Sequence, residues 1–239
     1  MILPTLNEGP SVGRVIELLL EGDASTDVLV VDDASTDDTV AAVERLRGER
    51  VALIERPSPL GLGSAYLIGF AWALKRPYEA VVEMDSDLSH DPRDAVRLVA
   101  ALDDADVVIG SRYVPGGRVE NWGMFRRALS VSGNRYARVL LGIEVADSTS
   151  GLRAFRTEWL RSADLASISS EGYGFQVEMA YRAVRRGARV IEIPIVFTER
   201  VAGRSKMTRA IVAEALVRIA LWALRDRVLG PLRRRAVRP

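Results

Sequence analysis

The chain has 239 residues, no cysteine, a single histidine (His90) and only two lysines, Lys75 and Lys206. The first two scarcities remove disulfide frameworks, thiolate zinc sites, thiol nucleophiles and most histidine-centred chemistry, so any metal must rest on oxygen ligands. The third makes nearly all of the 33 basic residues arginine, a compositional bias that carries no mechanism. Long apolar runs are also missing. The best candidate, Ile211 to Leu229, is interrupted by Glu214, Arg218, Arg225, Asp226 and Arg227, so no membrane span is expected. The opening Met-Ile-Leu-Pro has no basic stretch leading into an apolar one, so no signal peptide is expected and the reading is cytoplasmic. With 48% hydrophobic and 27% charged residues, the composition excludes wholesale disorder and fibrous repeats.

Charge is uneven. Residues 225 to 238 hold six Arg against Asp226 and carry +5, which leaves −4 for everything before them. Such a terminus suits anionic lipid or is a solvated tail. Nucleic acid is not expected as a partner, because the basic footprint is confined to the tail and no recognition motif accompanies it.

Short apolar runs alternate with helical periodicities, which predicts βαβ units and a mostly parallel sheet. Strands are expected at Ile2–Pro4, Val28–Val31, Val51–Ile54, Ala80–Met84, Val107–Ile109, Leu152–Phe155 and Val190–Phe197. Helices are expected at Val12–Leu20, Thr39–Leu46, through Tyr66, Phe70 and Leu74, from Asp91-Pro92, and at Phe125–Leu141 and Phe175–Arg186. A last helix, about Met207 to Leu229, is amphipathic through Ile211, Ala215, Leu216, Ile219, Trp222 and Ala223. It either packs on the protein's own sheet or lies in a membrane interface. No linker divides the chain, so residues 1–206 are expected to form one domain, a nucleotide-binding half at 1–112 merging into an acceptor-side half at 113–206. Residues 207–239 add the helix and basic tail.

Ligands of parallel α/β sheets bind beyond the carboxyl ends of strands. Four such ends are polar: Thr5-Leu6-Asn7-Glu8, Asp32-Asp33-Ala34-Ser35, Asp85-Ser86-Asp87 and Ser111-Arg112. Asp85 and Asp87 fall on one side of an extended segment and can share a hard divalent cation. A turn with a helix cap explains an isolated Asp-x-Asp equally well; the position after a buried strand favours metal. Asp33 is suited to accept from a nucleobase, whereas Asp37 and Asp38 read as helix caps. His90, alone beside the acidic turn, reads as structural. The phosphate-loop and dinucleotide fingerprints are absent, and Gly61-Leu62-Gly63 is too short to replace them. Phosphates would then need a metal with Arg112, Arg126, Arg200, Arg204 or Lys206.

In order, Pro4-Thr5-Leu6-Asn7-Glu8, Val31-Asp32-Asp33-Ala34-Ser35, Met84-Asp85-Ser86-Asp87-Leu88-Ser89-His90 and Gly110-Ser111-Arg112-Tyr113 resemble family 2 glycosyltransferases of the GT-A fold. Gly61-Leu62-Gly63-Ser64-Ala65-Tyr66, Ser150-Gly151-Leu152-Arg153, Gly172-Tyr173-Gly174-Phe175-Gln176-Val177-Glu178-Met179 and Arg200-Val201-Ala202-Gly203-Arg204-Ser205-Lys206 are similar to the dolichyl-phosphate mannosyltransferases. The match runs from residue 2 to about 208. It implies an α/β GT-A domain that transfers mannose from GDP-mannose to a polyprenyl phosphate, with Mg²⁺ or Mn²⁺ at the acidic motif.

Carried over residue by residue, the resemblance implies that Pro4, Thr5, Glu8, Val31 and Asp33 hold the guanosine. Asp85, Ser86 and Asp87 take the metal, diphosphate and ribose side, with Gln176 near the donor and Arg200 and Lys206 on its phosphates. Ser89 stands where some relatives place a metal-contacting Gln and so joins Asp85 and Asp87 as the third expected metal position. Arg112, Arg126 and Ser130 face the acceptor phosphate. Asp87, Arg112, Arg126, Arg200 and Lys206 are the expected catalytic set. The alternatives are a glucosyl- or aminosugar transferase acting on the same acceptor, and a non-catalytic nucleotide-sugar module. A peripheral position at the cytoplasmic membrane face is expected, with an integral-membrane partner as a further expectation.

Overall fold

The computed structural model describes the backbone of residues 1–199 and 209–236 and the side chains of residues 1–199 and 212–226. Seven strands form the central sheet: β1 (Ile2–Thr5), β2 (Val28–Asp32), β3 (Val51–Glu55), β4 (Ala80–Glu83), β5 (Val107–Ser111), β7 (Arg153–Arg156) and β8 (Val190–Pro194). Their order is β3-β2-β1-β4-β7-β5-β8. All neighbours pair in parallel except β7, which runs antiparallel to both β4 and β5. Strands from both expected halves therefore share one sheet.

Period-two alternation sorts the core onto two faces. On β2, Leu29 and Val31 join one apolar cluster and Val28 and Val30 the other. The second cluster is closed by α1 (Gly9–Gly22), α2 (Thr39–Glu44) and α4 (Pro92–Ala101) through Val12, Ile16, Val43 and Leu98. The first is closed by α3 (Leu62–Ala73), α5 (Met124–Leu141), α6 (Thr157–Ser162), α7 (Gly172–Arg185) and α8 (Arg209–Ala236). Asp91 caps α4 as expected, accepting from the Arg93 N–H at 2.9 Å, with Pro92 in the first turn. For α2 the expectation needs correcting. Asp38 makes no side-chain cap bond; Asp37 instead accepts from the N–H groups of Thr39 and Gly9, serving two helix starts.

Two further expectations change. Val190–Phe197 is not one strand: the chain leaves β8 at Pro194 and continues as β9 (Val196–Thr198), which pairs with β6 (Arg118–Glu120) in a separate two-stranded sheet. Proline cannot donate to a ladder, so a break there is natural. The last helix packs on helices rather than the sheet. Ala215, Ile219 and Ala223 are buried, Trp222 stacks on Tyr181 of α7 at 5.8 Å, and the Tyr136 hydroxyl of α5 donates to the Leu216 carbonyl. Val217, Leu221 and Leu224 form a second apolar stripe that remains exposed. Ile211 and the basic tail lie outside the described side chains.

Phe70 is fully buried, stacked on Tyr66 and edge-on to Phe155. Phe70→Ala is expected to lower stability by about 3–5 kcal/mol, read as a reduced urea midpoint with an unchanged slope.

Candidate functional site

The chain steps from β1 outward to β2 and β3 and then crosses back to β4 on the other side of β1, and the crevice over that division holds a cavity of about 320 Å³. Pro4, Thr5, Leu6 and Glu8 form one wall, and Asp85, Ser86 and Asp87 another. Tight polar turns set these walls. Asp32 accepts from the Thr5 hydroxyl at 2.8 Å and from the Ser35 N–H at 2.8 Å, joining the β1 and β2 exits. Asn7, at φ 57°, accepts from the Thr36 N–H.

Asp33 lines the cleft but is already heavily engaged. It accepts from the N–H groups of Leu60 (2.7 Å) and Gly61 (2.9 Å) and pairs with Arg56 at 2.6 Å. Arg56 also donates to the Ser64 hydroxyl and the Gly61 carbonyl. Gly61 sits at φ +93°, and a Cβ there would meet Glu171 at 2.5 Å. Glu171 accepts from the Gly63 N–H at 2.9 Å, and burial raises its pKa. Asp33 thus pins the β3–α3 loop to the end of β2 as well as presenting an edge to the cleft, and Glu171 ties the same loop to the start of α7.

At the acidic turn, Ser86 donates to the Pro4 carbonyl and Asp87 accepts from the Ser89 N–H. Gly151 stands opposite: a Cβ there would come within 2.9 Å of Asp85 Oδ2. His90 is buried, its Nε2 3.4 Å from Asp85 Oδ2 and its ring edge-on to Phe197.

Gly151 reaches this edge because β7 is antiparallel. The start of β7 lies where the parallel strands end, so the preceding loop joins the cleft through Thr149 and Gly151. That loop is tightly held. Glu192 of β8 accepts from the N–H groups of Ala146 and Asp147. Asp147, fully buried, takes Arg112 through Nε (2.7 Å) and Nη2 (2.6 Å). Arg112 and Asn134 both donate to the Thr149 hydroxyl. Burial opposes ionisation of Asp147, yet the Arg112 guanidinium holds its pKa below the usual carboxylate range.

Beside the cleft lies an apolar groove of about 390 Å³ between α5, α7 and α8. Arg126 and Ser130 line it, together with Trp122, Tyr136, Val177 and Ile219. Arg126 lies over the Trp122 ring at 4.1 Å and pairs with Glu199; Ser130 accepts from the Tyr113 hydroxyl at 2.7 Å. Thr149 and Tyr173 line both cavities, so the two spaces meet there.

The profile of Glycosyl transferase family 2 matches residues 1–163. The chain belongs to that family. This glycosyltransferase is 46% identical over 231 residues to undecaprenyl-phosphate mannosyltransferase of Micrococcus luteus, covering 96% of this chain and 95% of that protein. It is 44% identical over 232 residues to polyprenol monophosphomannose synthase of Mycolicibacterium smegmatis, covering 95% and 88%. A structure of glucosyl-3-phosphoglycerate synthase from Mycobacterium tuberculosis, in complex with Mn²⁺, uridine diphosphate and glucosyl-3-phosphoglycerate, aligns with a TM-score of 0.66 at 22% identity, covering 95% of this chain and 78% of that one. That likeness agrees with the GT-A fold.

Of the residues expected to hold the transferase's donor, Pro4, Thr5, Glu8, Asp33, Asp85, Ser86, Asp87 and Gln176 line the cleft together. Val31 does not. Its side chain is fully buried in the core between the sheet and α3. Ser89 is also a correction: its hydroxyl is buried, without a hydrogen bond among the described residues and outside the cleft lining, so it is not set as a third metal ligand. Arg112 departs as well, because two of its nitrogens hold Asp147 and it lines neither cavity; it braces the Thr149 loop. Arg200 and Lys206 lie outside the described residues. Arg56, Thr149, Glu171 and Tyr173 were not singled out. Only Tyr173, inside a quoted motif, carried a sequence signal.

Asp147→Asn leaves the Arg112 guanidinium buried without its counter-charge and is expected to cost about 3–5 kcal/mol at neutral pH. Because the folded-state pKa of Asp147 is depressed, its contribution is full above the unfolded value of about 4 and fades as pH falls through the folded one. Urea titrations of both proteins are expected to converge at acid pH.

Proposed function

We propose that this glycosyltransferase moves mannose from GDP-mannose to a polyprenyl phosphate with inversion, giving polyprenyl-phosphate mannose and GDP. The observation that carries the reading is the junction at Thr149 and Tyr173, where a polar cleft ending in two carboxylates opens onto an apolar groove bearing Arg126 and Ser130. A nucleotide sugar and an anionic lipid require that pair of spaces to touch. Relatives 46% and 44% identical are named for undecaprenyl phosphate and polyprenol monophosphomannose, which supports the same acceptor and sugar here. Guanine offers adjacent N–H donors, a match for carboxylates such as Asp33, Glu8 and Glu171 in the cleft wall.

The acidic turn fits a hard cation such as Mg²⁺ or Mn²⁺. Gly151 leaves space against Asp85 that a side chain would fill. Among the described residues no group of three or more His, Cys, Asp or Glu converges, so Asp85 and Asp87 suit an ion that takes its remaining ligands from substrate phosphates and water. When bound, such an ion would neutralise charge on the departing diphosphate.

A phosphate monoester has a second pKa near 6, so no protein base is needed to activate it at neutral pH. The chain's task is placement. Arg126, poised by Trp122 and Glu199, and Ser130 receive the acceptor phosphate, with Arg112 acting from behind through Asp147 and Thr149. An acceptor oxygen then attacks the anomeric carbon as its bond to the GDP oxygen breaks. Arg200 and Lys206 belong to the same proposal on the donor phosphates.

Leu129 of α5 and Leu216 of α8 line the groove and remain exposed, and Met124 and Phe125, also exposed, stand at the start of α5 just before Arg126. Among the described residues no helix is long and apolar enough to cross a membrane. These side chains and the basic tail support peripheral binding at the cytoplasmic face.

Incubating the protein, a divalent ion and short-chain polyprenyl phosphate with GDP-mannose, GDP-glucose, UDP-glucose and UDP-N-acetylglucosamine is expected to yield only the mannosyl lipid. A different glycolipid would replace the donor assignment. Asp87→Ala is expected to reduce transfer by about a hundredfold or more. Arg126→Ala removes a charge-assisted contact of about 1.5–3 kcal/mol, expected as a roughly 10- to 100-fold rise in acceptor KM with donor KM unchanged.

A further inference from the structure

Five buried polar atoms beneath the donor cleft have no hydrogen-bond partner among the described residues: both carboxylate oxygens of Glu83, both amide atoms of Gln176 and the Tyr66 hydroxyl. They come from β4, α7 and α3, and all three side chains are essentially sealed from solvent, at 0%, 2% and 0% exposed. Native interiors leave few such atoms, so a group of five in one place calls for a partner.

The surroundings fix where the group lies. Glu83 stands opposite Arg153 in the β4–β7 ladder, but the three nitrogens of Arg153 donate to the carbonyls of Ser148, Ser150 and Gln176. Arg153 therefore anchors the main chain of Gln176, whose side-chain amide interacts with the Glu83 carboxyl. Tyr66 stacks on Phe175, the neighbour of Gln176, at 5.8 Å. Gln176 lines the cleft together with Asp85 and Gly151, and Glu83 precedes Asp85 by two residues.

We propose that Glu83, backed by Tyr66, is a positioning residue that orients the side-chain amide of Gln176 toward the hydroxyl groups of the donor hexose, making the pair a determinant of sugar choice. A glutamine amide presents a donor on one side and an acceptor on the other. A carboxyl behind it engages one atom and leaves the opposite one unpaired beneath the cleft floor, where that atom would select hydroxyls by direction once the donor is seated. The inference rests on the reading of the cleft as a nucleotide-sugar site and goes on to name the part of the ligand that this floor recognises.

The test compares the complete donor with the bare nucleotide. Glu83→Leu and Gln176→Leu are each expected to lower kcat/KM for GDP-mannose by about tenfold or more and to narrow its preference over GDP-glucose. The Kd for GDP, measured calorimetrically with Mg²⁺, is expected to stay within about twofold. Glu83→Gln, which keeps a polar group behind the amide, is expected to recover part of the loss. Equal losses for GDP and GDP-mannose, or an unchanged preference between the sugars, overturn the inference. Thermal melting checks folding, and if Glu83→Leu does not fold, Gln176→Leu and Glu83→Gln decide the question. Should the wild type prefer another sugar, the mannose reading fails, and the same comparison made with that sugar still decides this one.

Discussion

One buried cation organises the ligand edge of the sheet. The Arg153 guanidinium, fully enclosed, holds the carbonyls of Ser148, Ser150 and Gln176 at 3.0 Å or less. It thereby joins the loop before β7 to the first turns of α7. Burial lowers its pKa, and the facing charges of Glu83, Asp147 and Glu192 offset that cost. A cation in such a place is tolerable only with both counter-charge and hydrogen bonds. The same groups then fix where Thr149, Gly151 and Gln176 meet the cleft. Asp147 extends the arrangement to Arg112 and, through it, to the end of β5.

The antiparallel β7 explains why that edge can serve two ligands. In a purely parallel sheet every strand would bring only its carboxyl end to the ligand side. Reversing one strand between β4 and β5 brings a strand beginning there instead, with the loop that descends from α5. That loop carries Thr149, which lines both the cleft and the groove. One inverted strand is thus the structural reason the polar and apolar spaces adjoin.

Features written locally in the chain were legible. The strands of the first half, the Asp91-Pro92 helix start and the Asp85-Ser86-Asp87 turn follow from alternation, capping chemistry and position after a buried run. What depends on pairing across the chain was not. Arg112 looks like a free phosphate ligand until Asp147, 35 residues away, is brought against it. Arg56 and Glu171 carry no pattern, and only folding shows that they lock Gly61 and Gly63. Val31 looks like part of a polar strand end, yet period two turns its side chain into the core. The break at Pro194 was visible as a proline, but that β9 leaves the main sheet to pair with β6 depends on a partner some eighty residues earlier. The acceptor residues divided similarly: Arg126 and Ser130, one turn apart on α5, share the groove, whereas Arg112 serves the scaffold behind it.

On the proposed reading, the contrast between the two spaces also bears on why water does not take the acceptor's place. Water reaching the anomeric carbon would hydrolyse the donor, and a polar cleft alone does little to prevent it. Here the route to the junction from the acceptor side runs between Trp122, Leu129, Tyr136, Val177 and Ile219, surfaces that hold water poorly and favour a hydrocarbon chain. A polyprenyl tail filling that groove would displace solvent as it delivers its phosphate to Arg126. Acceptor binding would then supply the nucleophile and the dry surroundings in the same step, which accounts for Leu129 and Leu216 staying exposed along the groove where the lipid must enter.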